Sequence, residues 1–245
     1  MISFNKEQIY IVTGASSGIG EGTALLLNEL GATVVAIARN EKRLNAMKNN
    51  CKYPENMHIE IKDLAEDIEG LPQYVKELKN KYGKFSGMAY CAGVVDIKPL
   101  QISNKSEMEN LFNIDYYTPI FMTKGLCDRR NNVGKGTSIV YISSIAATTC
   151  NPGMLCYSGA KAALIASMKC MASEVAKQGI RLNCLSPSDI DTNMQRESDK
   201  CRTMIIEYPL GVGHVDDVAN MILYLLSDKA KWITRQNYII DCGIV

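Results

Sequence analysis

The chain is predicted to fold as an α/β protein, a doubly wound parallel sheet with helices on both faces, on three observations. Short apolar or β-branched runs alternate with helical periodicity from one end of the sequence to the other. The first run breaks into a glycine-rich turn, a helix and a second run, which is the order of a βαβ unit. The residues whose chemistry stands out fall at the carboxyl ends of the predicted strands, where open parallel sheets bind ligands.

Composition bounds the reading. A length of 245 residues suits one large α/β domain, and no low-complexity linker divides it, so residues 1–245 are read as one domain. With 47% hydrophobic and 22% charged residues, the chain has the balance of a globular protein with a large core. A net charge of +1 gives no broad field to recruit nucleic acid or an anionic membrane. Nine cysteines, an odd number without a C-x-x-C pair, point to free thiols in a reducing compartment. No signal-like start and no run of 18 apolar residues is found, so the expected location is the cytoplasm. Two histidines, His58 and His214, make a histidine-based metal site improbable, and no metal is expected. Cys150 and Cys156 lie near Tyr157 in sequence and are candidates to line a pocket.

The elements follow in order. Gln8–Val12 is the first strand and ends in Thr13-Gly14-Ala15-Ser16-Ser17-Gly18-Ile19-Gly20. A helix follows to Leu30, with Leu25, Leu26 and Leu30 as its apolar marks, and Gly31 closes it. Thr33–Ala38 is the second strand. Glycines at such a turn let the backbone approach a pyrophosphate, which then rests on the helix N-terminus. NAD enzymes carry an acidic residue at the end of the second strand, whereas this chain has Ala38 and then Arg39. A guanidinium suits a 2′-phosphate, so the cofactor expected is NADP(H) rather than NAD(H).

Glu41–Asn50 reads as a helix and Met57–Ile61 as the third strand, with Asp63 and Leu64 just beyond it. Glu66–Lys81 is helical, broken near Gly70 and Pro72. Gly87–Cys91 is the fourth strand and ends in Ala92-Gly93. A long helix begins near Ser106, with Ser106 as N-cap and Glu109 three residues on; it carries Asn113 and Asp115 and should bend at Pro119. Thr137–Ile142 is the fifth strand, almost wholly apolar as a buried parallel strand should be, with Ser143-Ser144 at its end. Ile180–Ser186 is the sixth strand, leading to Pro187 and a polar loop to Lys200. Val215–Ser227 is a helix with Asp216 and Asp217 in its first turn, and Asn237–Asp241 is the seventh strand.

Between the fifth and sixth strands, Tyr157 and Lys161 stand four apart in a run of small helix formers. Residues so spaced share a helix face. An ammonium fixed beside a phenol favours the phenolate, so the Tyr157 pKa is expected to fall from about 10 towards neutrality. A phenol tuned that way can exchange a proton at working pH.

Taken together, these segments resemble the short-chain dehydrogenase/reductase family, in its main group of about 250-residue chains, over Tyr10–Asp241. Thr13–Gly20 matches the family's T-G-x-x-x-G-x-G. Asp63 matches its adenine-contacting aspartate, and Ser144 stands 13 before Tyr157 as in its serine–tyrosine–lysine set. Asn113 matches its proton-relay asparagine. Pro187, Ile190 and Thr192 resemble the segment that holds the nicotinamide carboxamide, and Gly179–Asn183 also fits. The departures are Tyr90-Cys91-Ala92-Gly93 in place of N-N-A-G, Ser188 in place of a glycine, and Asp241-Cys242-Gly243 in place of D-G-G. The missing asparagines put the hydrogen bonding of the fourth strand in question.

The resemblance implies a Rossmann-like seven-stranded fold and hydride transfer between NADP(H) and a carbonyl or alcohol. Tyr157 would be the acid or base, Lys161 would lower its pKa and hold the ribose, and Ser144 would hydrogen-bond the substrate oxygen. Asn113 would hold a water feeding Lys161. Cofactor contacts are expected from Gly14, Ser16, Ser17, Gly18, Ile19, Gly20, Arg39, Asp63, Leu64, Ala92, Gly93, Tyr157, Lys161, Pro187, Ile190 and Thr192. The substrate is a small molecule: a 3-oxoacyl thioester, a keto-sugar, a steroid or a small ketone. Its pocket is expected in Val94–Pro99, Ile145–Cys156 and Thr192–Glu207, where Val94, Val95, Ile145, Met154 and Met194 are apolar. The family also implies a homodimer or homotetramer. The competing reading is a nucleotide-binding sensor that keeps the fold without turnover.

Overall fold

The computed structural model describes residues 1–192 and 208–245. The expected Met194, and most of the segment Thr192–Glu207, lie outside the described residues. Seven strands form one sheet: β1 (Ile9–Thr13), β2 (Thr33–Ala38), β3 (Met57–Ile61), β4 (Phe85–Tyr90), β5 (Ser138–Ile142), β6 (Arg181–Pro187) and β7 (Asn237–Ile240). Their order is β3-β2-β1-β4-β5-β6-β7, and every pairing is parallel. The order reverses direction between β1 and β4, which opens a crevice at their carboxyl ends.

The strands are apolar because both faces are covered. Along β1, Tyr10 and Val12 point into one core and Ile11 into the other, the period of two that a pleated strand imposes. Helices α1 (Gly18–Glu29), α2 (Glu41–Asn50) and α8 (Val215–Leu226) cover the first face. Helices α3 (Leu71–Tyr82), α5 (Thr118–Leu126) and α7 (Leu155–Val175) cover the second. The short helices α4 (Lys105–Phe112) and α6 (Ala146–Thr149) flank the crevice side of α7.

The differences from expectation are local. In α1 the fully buried face is Gly20, Thr23, Ala24 and Leu27, with Leu25, Leu26 and Leu30 only partly buried. Helix α8 comes close to α1 at Gly22, where a Cβ would stand 2.3 Å from Val215 Cγ1. Helix α3 starts at Leu71 with Pro72 in its first turn, where a missing N–H costs nothing. The N-cap of α4 is Asn104, whose side chain accepts from the Glu107 N–H, rather than Ser106. Helix α4 runs into α5 through a π-helical turn, Asn113–Tyr117, and Pro119 falls in the first turn of α5. The irregularity thus lies just before the proline. The fourth strand keeps its pairing with β1 and β5 without the two asparagines. Thr13 Oγ1 accepts from the N–H groups of Cys91 and Ala92, each at 3.1 Å, and the Tyr90 hydroxyl donates to the Ile114 carbonyl at 2.9 Å.

Candidate active site

A cleft of about 610 Å³ runs along the carboxyl ends of the strands. The glycine turn forms its floor. Gly14 and Gly18 take φ of +65° and +56°, a region closed to most side chains. A Cβ on Gly14 would stand 2.9 Å from the Ala92 backbone, and one on Gly20 would stand 2.4 Å from the Gly14 carbonyl oxygen. Backbone therefore passes close to backbone here, and the N-terminus of α1 opens into the cleft. The predicted cofactor residues line this one space: Gly14, Ser16, Ser17, Gly18, Ile19, Gly20, Arg39, Asp63, Leu64, Ala92, Gly93, Pro187, Ile190 and Thr192.

One end of the cleft is cationic and open. Arg39, Arg43 and Lys62 line it beside Asn40 and Asp63. Arg39 Nη1 is 3.5 Å from Asp63 Oδ2, with side chains 68% and 42% exposed. The Asn40 side chain caps α2 by accepting from the Arg43 N–H, which places Arg43 on the first turn next to Arg39. Sequence reading took Arg39 alone; the second arginine four residues on was the available signal.

The other end is buried. In α7 the residues Tyr157, Lys161, Leu164, Met168, Ala172 and Val175 recur every three or four positions and face inward. Lys161 Nζ donates to the Ile142 carbonyl at 3.1 Å, and the Lys161 carbonyl accepts from Ser143 Oγ at 3.1 Å. The lysine is thus tied to the end of β5 at both ends. Its ammonium lies 5.5 Å from the Tyr157 ring centre. Ser144 lines the same space, accepts from the Ala146 N–H at 3.1 Å, and its hydroxyl favours the Tyr157 phenolate, against the effect of burial. Asn113 does not line the cleft; its carbonyl accepts from Thr118 Oγ1 at 2.6 Å.

The expected fall in the Tyr157 pKa is corrected by its surroundings. Burial pushes the phenol above its usual range more than Lys161 pulls it down, and the nearby Asp115 carboxylate pushes the same way. Local spacing shows the cation but not the dryness of the site or the third charge. Asp115 is fully buried, with Oδ1 3.5 Å from Lys161 Nζ and 3.1 Å from the Val94 N–H that donates to it. Gly93 makes room, since a Cβ there would stand 2.9 Å from Asp115 Oδ1 and 3.3 Å from Lys161 Nζ. Sequence reading placed Asp115 on this helix beside Asn113 but gave it no role. Its signal was an acid at an apolar stripe position, since Leu111, Asp115, Thr118 and Met122 all turn inward at helical spacing.

Past the tyrosine the cleft is walled by Val94, Val95, Ile145 and Met154, with Thr149 and Asn151 as polar points. Cys150 and Cys156 do not line it, whereas Cys91 does. Burial pushes the Cys91 thiol up to about 12, which leaves it a protonated wall group. The eight described cysteines are free. No group of metal-ligating side chains occurs among the described residues. No helix among them is long and apolar enough to cross a membrane.

Comparison with known proteins agrees with this geometry. The family model described as enoyl-(acyl carrier protein) reductase matches residues 14–245. A 3-oxoacyl-[acyl-carrier-protein] reductase FabG of Thermotoga maritima is 30% identical, over 97% of this chain and 98% of that protein. An L-xylulose reductase of Caenorhabditis elegans is 30% identical, over 95% and 94%. The crystal structure of a dehydrogenase/reductase from Sinorhizobium meliloti superposes with a TM-score of 0.86 at 25% identity, covering 98% of this chain and 96% of that one. The chain belongs to the short-chain dehydrogenase/reductase family of oxidoreductases, with its Rossmann-like fold.

Proposed function

We propose that this chain is an NADP(H)-dependent reductase of a small carbonyl compound, acting through Ser144, Tyr157 and Lys161. The observation that carries the reading is a single cleft with an arginine pair at one end and, at the other, Ser144 beside the buried Tyr157 and Lys161. The glycine cradle fits a dinucleotide, because its glycines bring backbone close to backbone and the turn that opens α1 lines the cleft. Arg39 and Arg43 would hold a 2′-phosphate, and Asp63 and Leu64 would border the adenine. Ala92, Gly93, Pro187, Ile190 and Thr192 would enclose the nicotinamide half.

A bound nicotinamide supplies the hydride. The chain supplies the proton and the electrostatics. As the carbonyl carbon takes the hydride, its oxygen gains negative charge, and the Ser144 hydroxyl donates to it. The Tyr157 O–H bond breaks and its proton passes to that oxygen, giving the alcohol. The phenolate left behind is stabilised by the Lys161 ammonium until solvent restores the proton. Asn113 is proposed to serve that restoration. A raised phenol pKa suits this direction, since Tyr157 is protonated at neutral pH.

The apolar wall of Val94, Val95, Ile145 and Met154 supports an uncharged or acyl substrate face. A 3-oxoacyl thioester or keto-sugar, as in the names of the relatives, is the first choice to test, followed by steroids and small ketones. Cytoplasmic location and a homodimer or homotetramer are part of the same reading. The test is NADPH consumption against a carbonyl panel, with Tyr157→Phe as control. Nucleotide binding without turnover on any carbonyl would favour the silent sensor instead.

A further inference from the structure

The buried end of the cleft holds one acid that the serine–tyrosine–lysine set does not account for. Asp115 sits in the π-helical turn Asn113–Tyr117, the kind of local insertion that often marks a functional site. Two hydrogen bonds grip the residues just before it: Thr118 Oγ1 to the Asn113 carbonyl at 2.6 Å and the Tyr90 hydroxyl to the Ile114 carbonyl at 2.9 Å. Tyr90, one of the departures from the family pattern, thus secures this turn. Asp115 Oδ1 is shared between the Val94 N–H and Lys161 Nζ, while Oδ2 has no partner among the described residues. A buried carboxylate with a spare oxygen is expensive, and Lys161 and the Val94 N–H offset it.

We propose that Asp115 is a positioning residue of this active site: its carboxylate holds Lys161 Nζ against the Ile142 carbonyl and biases Tyr157 towards the neutral, proton-donating form that carbonyl reduction needs. The inference rests on the reductase reading above. Among the described residues, the titratable groups facing the Tyr157–Lys161 pair are Asp115 on the π turn, Cys91 just after β4, Cys184 on β6, and Asp189 beyond it, and Tyr90 faces Asp115. Burial keeps Tyr90 and both thiols protonated, which leaves the two carboxylates as the opposing charges. Asp189 accepts a hydrogen bond from the Tyr208 hydroxyl, and its effect on Tyr157 is smaller than that of Asp115. Tyr157 and Lys161 titrate as a coupled pair. Removing a negative neighbour makes the pair release its proton at lower pH, whichever group loses it.

Asp115→Asn keeps the size and the acceptor for Val94 and removes the charge. The alkaline limb of the reduction rate should move to lower pH by on the order of one unit, and the reverse oxidation should become active at lower pH. Asp115→Glu, which restores the charge, should restore the profile. An unmoved limb with a uniformly lower kcat would make Asp115 structural only and overturn the proposal. Should Asp115→Asn not fold, Asp115→Ser, which also removes the charge, takes its place, and tyrosinate absorbance without cofactor, taken as a difference against Tyr157→Phe, is compared between variant and native protein. Ionisation of Tyr157 at lower pH in the variant supports the proposal, and ionisation at an unchanged pH overturns it. That titration needs no substrate. An enzyme that reduces nothing but shows this shift therefore fails the reductase reading and not the placement of Asp115.

Discussion

Two cation–carboxylate pairs stand at opposite ends of one cleft, both at 3.5 Å: Arg39 with Asp63, and Lys161 with Asp115. The first has side chains 68% and 42% exposed, the second 4% and 0%. Geometry is equal, so surroundings decide what each pair does. In water the arginine gains little from its partner and can exchange it for a ligand phosphate without penalty. In the dry interior neither lysine nor aspartate can lose the other without stranding a charge. One end of the cleft is thus built for exchange and the other for fixity.

The comparison can be broken at several points. The largest effect is expected from Tyr157→Phe, which removes the proton and should lower kcat by roughly 10²–10⁴-fold with NADPH affinity retained, measured by steady-state kinetics and cofactor titration. Lys161→Met leaves Asp115 unpaired and should cost about 3–5 kcal/mol by denaturant titration. The melting temperature should fall on the order of 10 °C. Adding Asp115→Leu to Lys161→Met should recover most of that loss. If it does not, the pair is not what the interior depends on.

At the open end, Arg39→Ala should raise the NADPH dissociation constant about tenfold or more while leaving NADH binding nearly unchanged. Its effect on stability should stay within about 1 kcal/mol. Equal weakening of both cofactors would show that Arg39 does not read a 2′-phosphate. The smallest effect is on alkaline stability. Lys161 and Tyr157 both hold their protons more tightly folded than unfolded. The folded state therefore binds more protons above about pH 10, and stability falls as pH rises through that range. Thermal melts from neutral to alkaline pH should show this fall in the native protein and a shallower one in Lys161→Met.

Much of this was legible in the chain itself. Strand runs, glycine turn and the Tyr157–Lys161 spacing are local patterns, and the strand order follows from right-handed crossovers between them. The residues expected at the cofactor end line one cleft, and they were legible because they are consecutive, from Gly14 to Gly20 and at Arg39. The buried end was read in part. Tyr157, Lys161 and Ser144 have fixed spacing, whereas Asp115 reaches Lys161 from a different helix, 46 residues away along the chain. The phenol shifted the other way because desolvation is a property of the packed whole, which no four-residue spacing encodes. The cap at Asn104 in place of Ser106 moved a boundary by two residues and changed nothing downstream.

Gly93 carries a consequence for what this scaffold can become. It is the wall between the ion pair and the cleft, and one methyl there would press on both charged atoms at once. That position is closed to variation by the machinery behind it. A change of substrate must come from its neighbours: Val94 and Val95, one and two steps along the loop, and Met154 across the opening, which wall the cleft with apolar side chains.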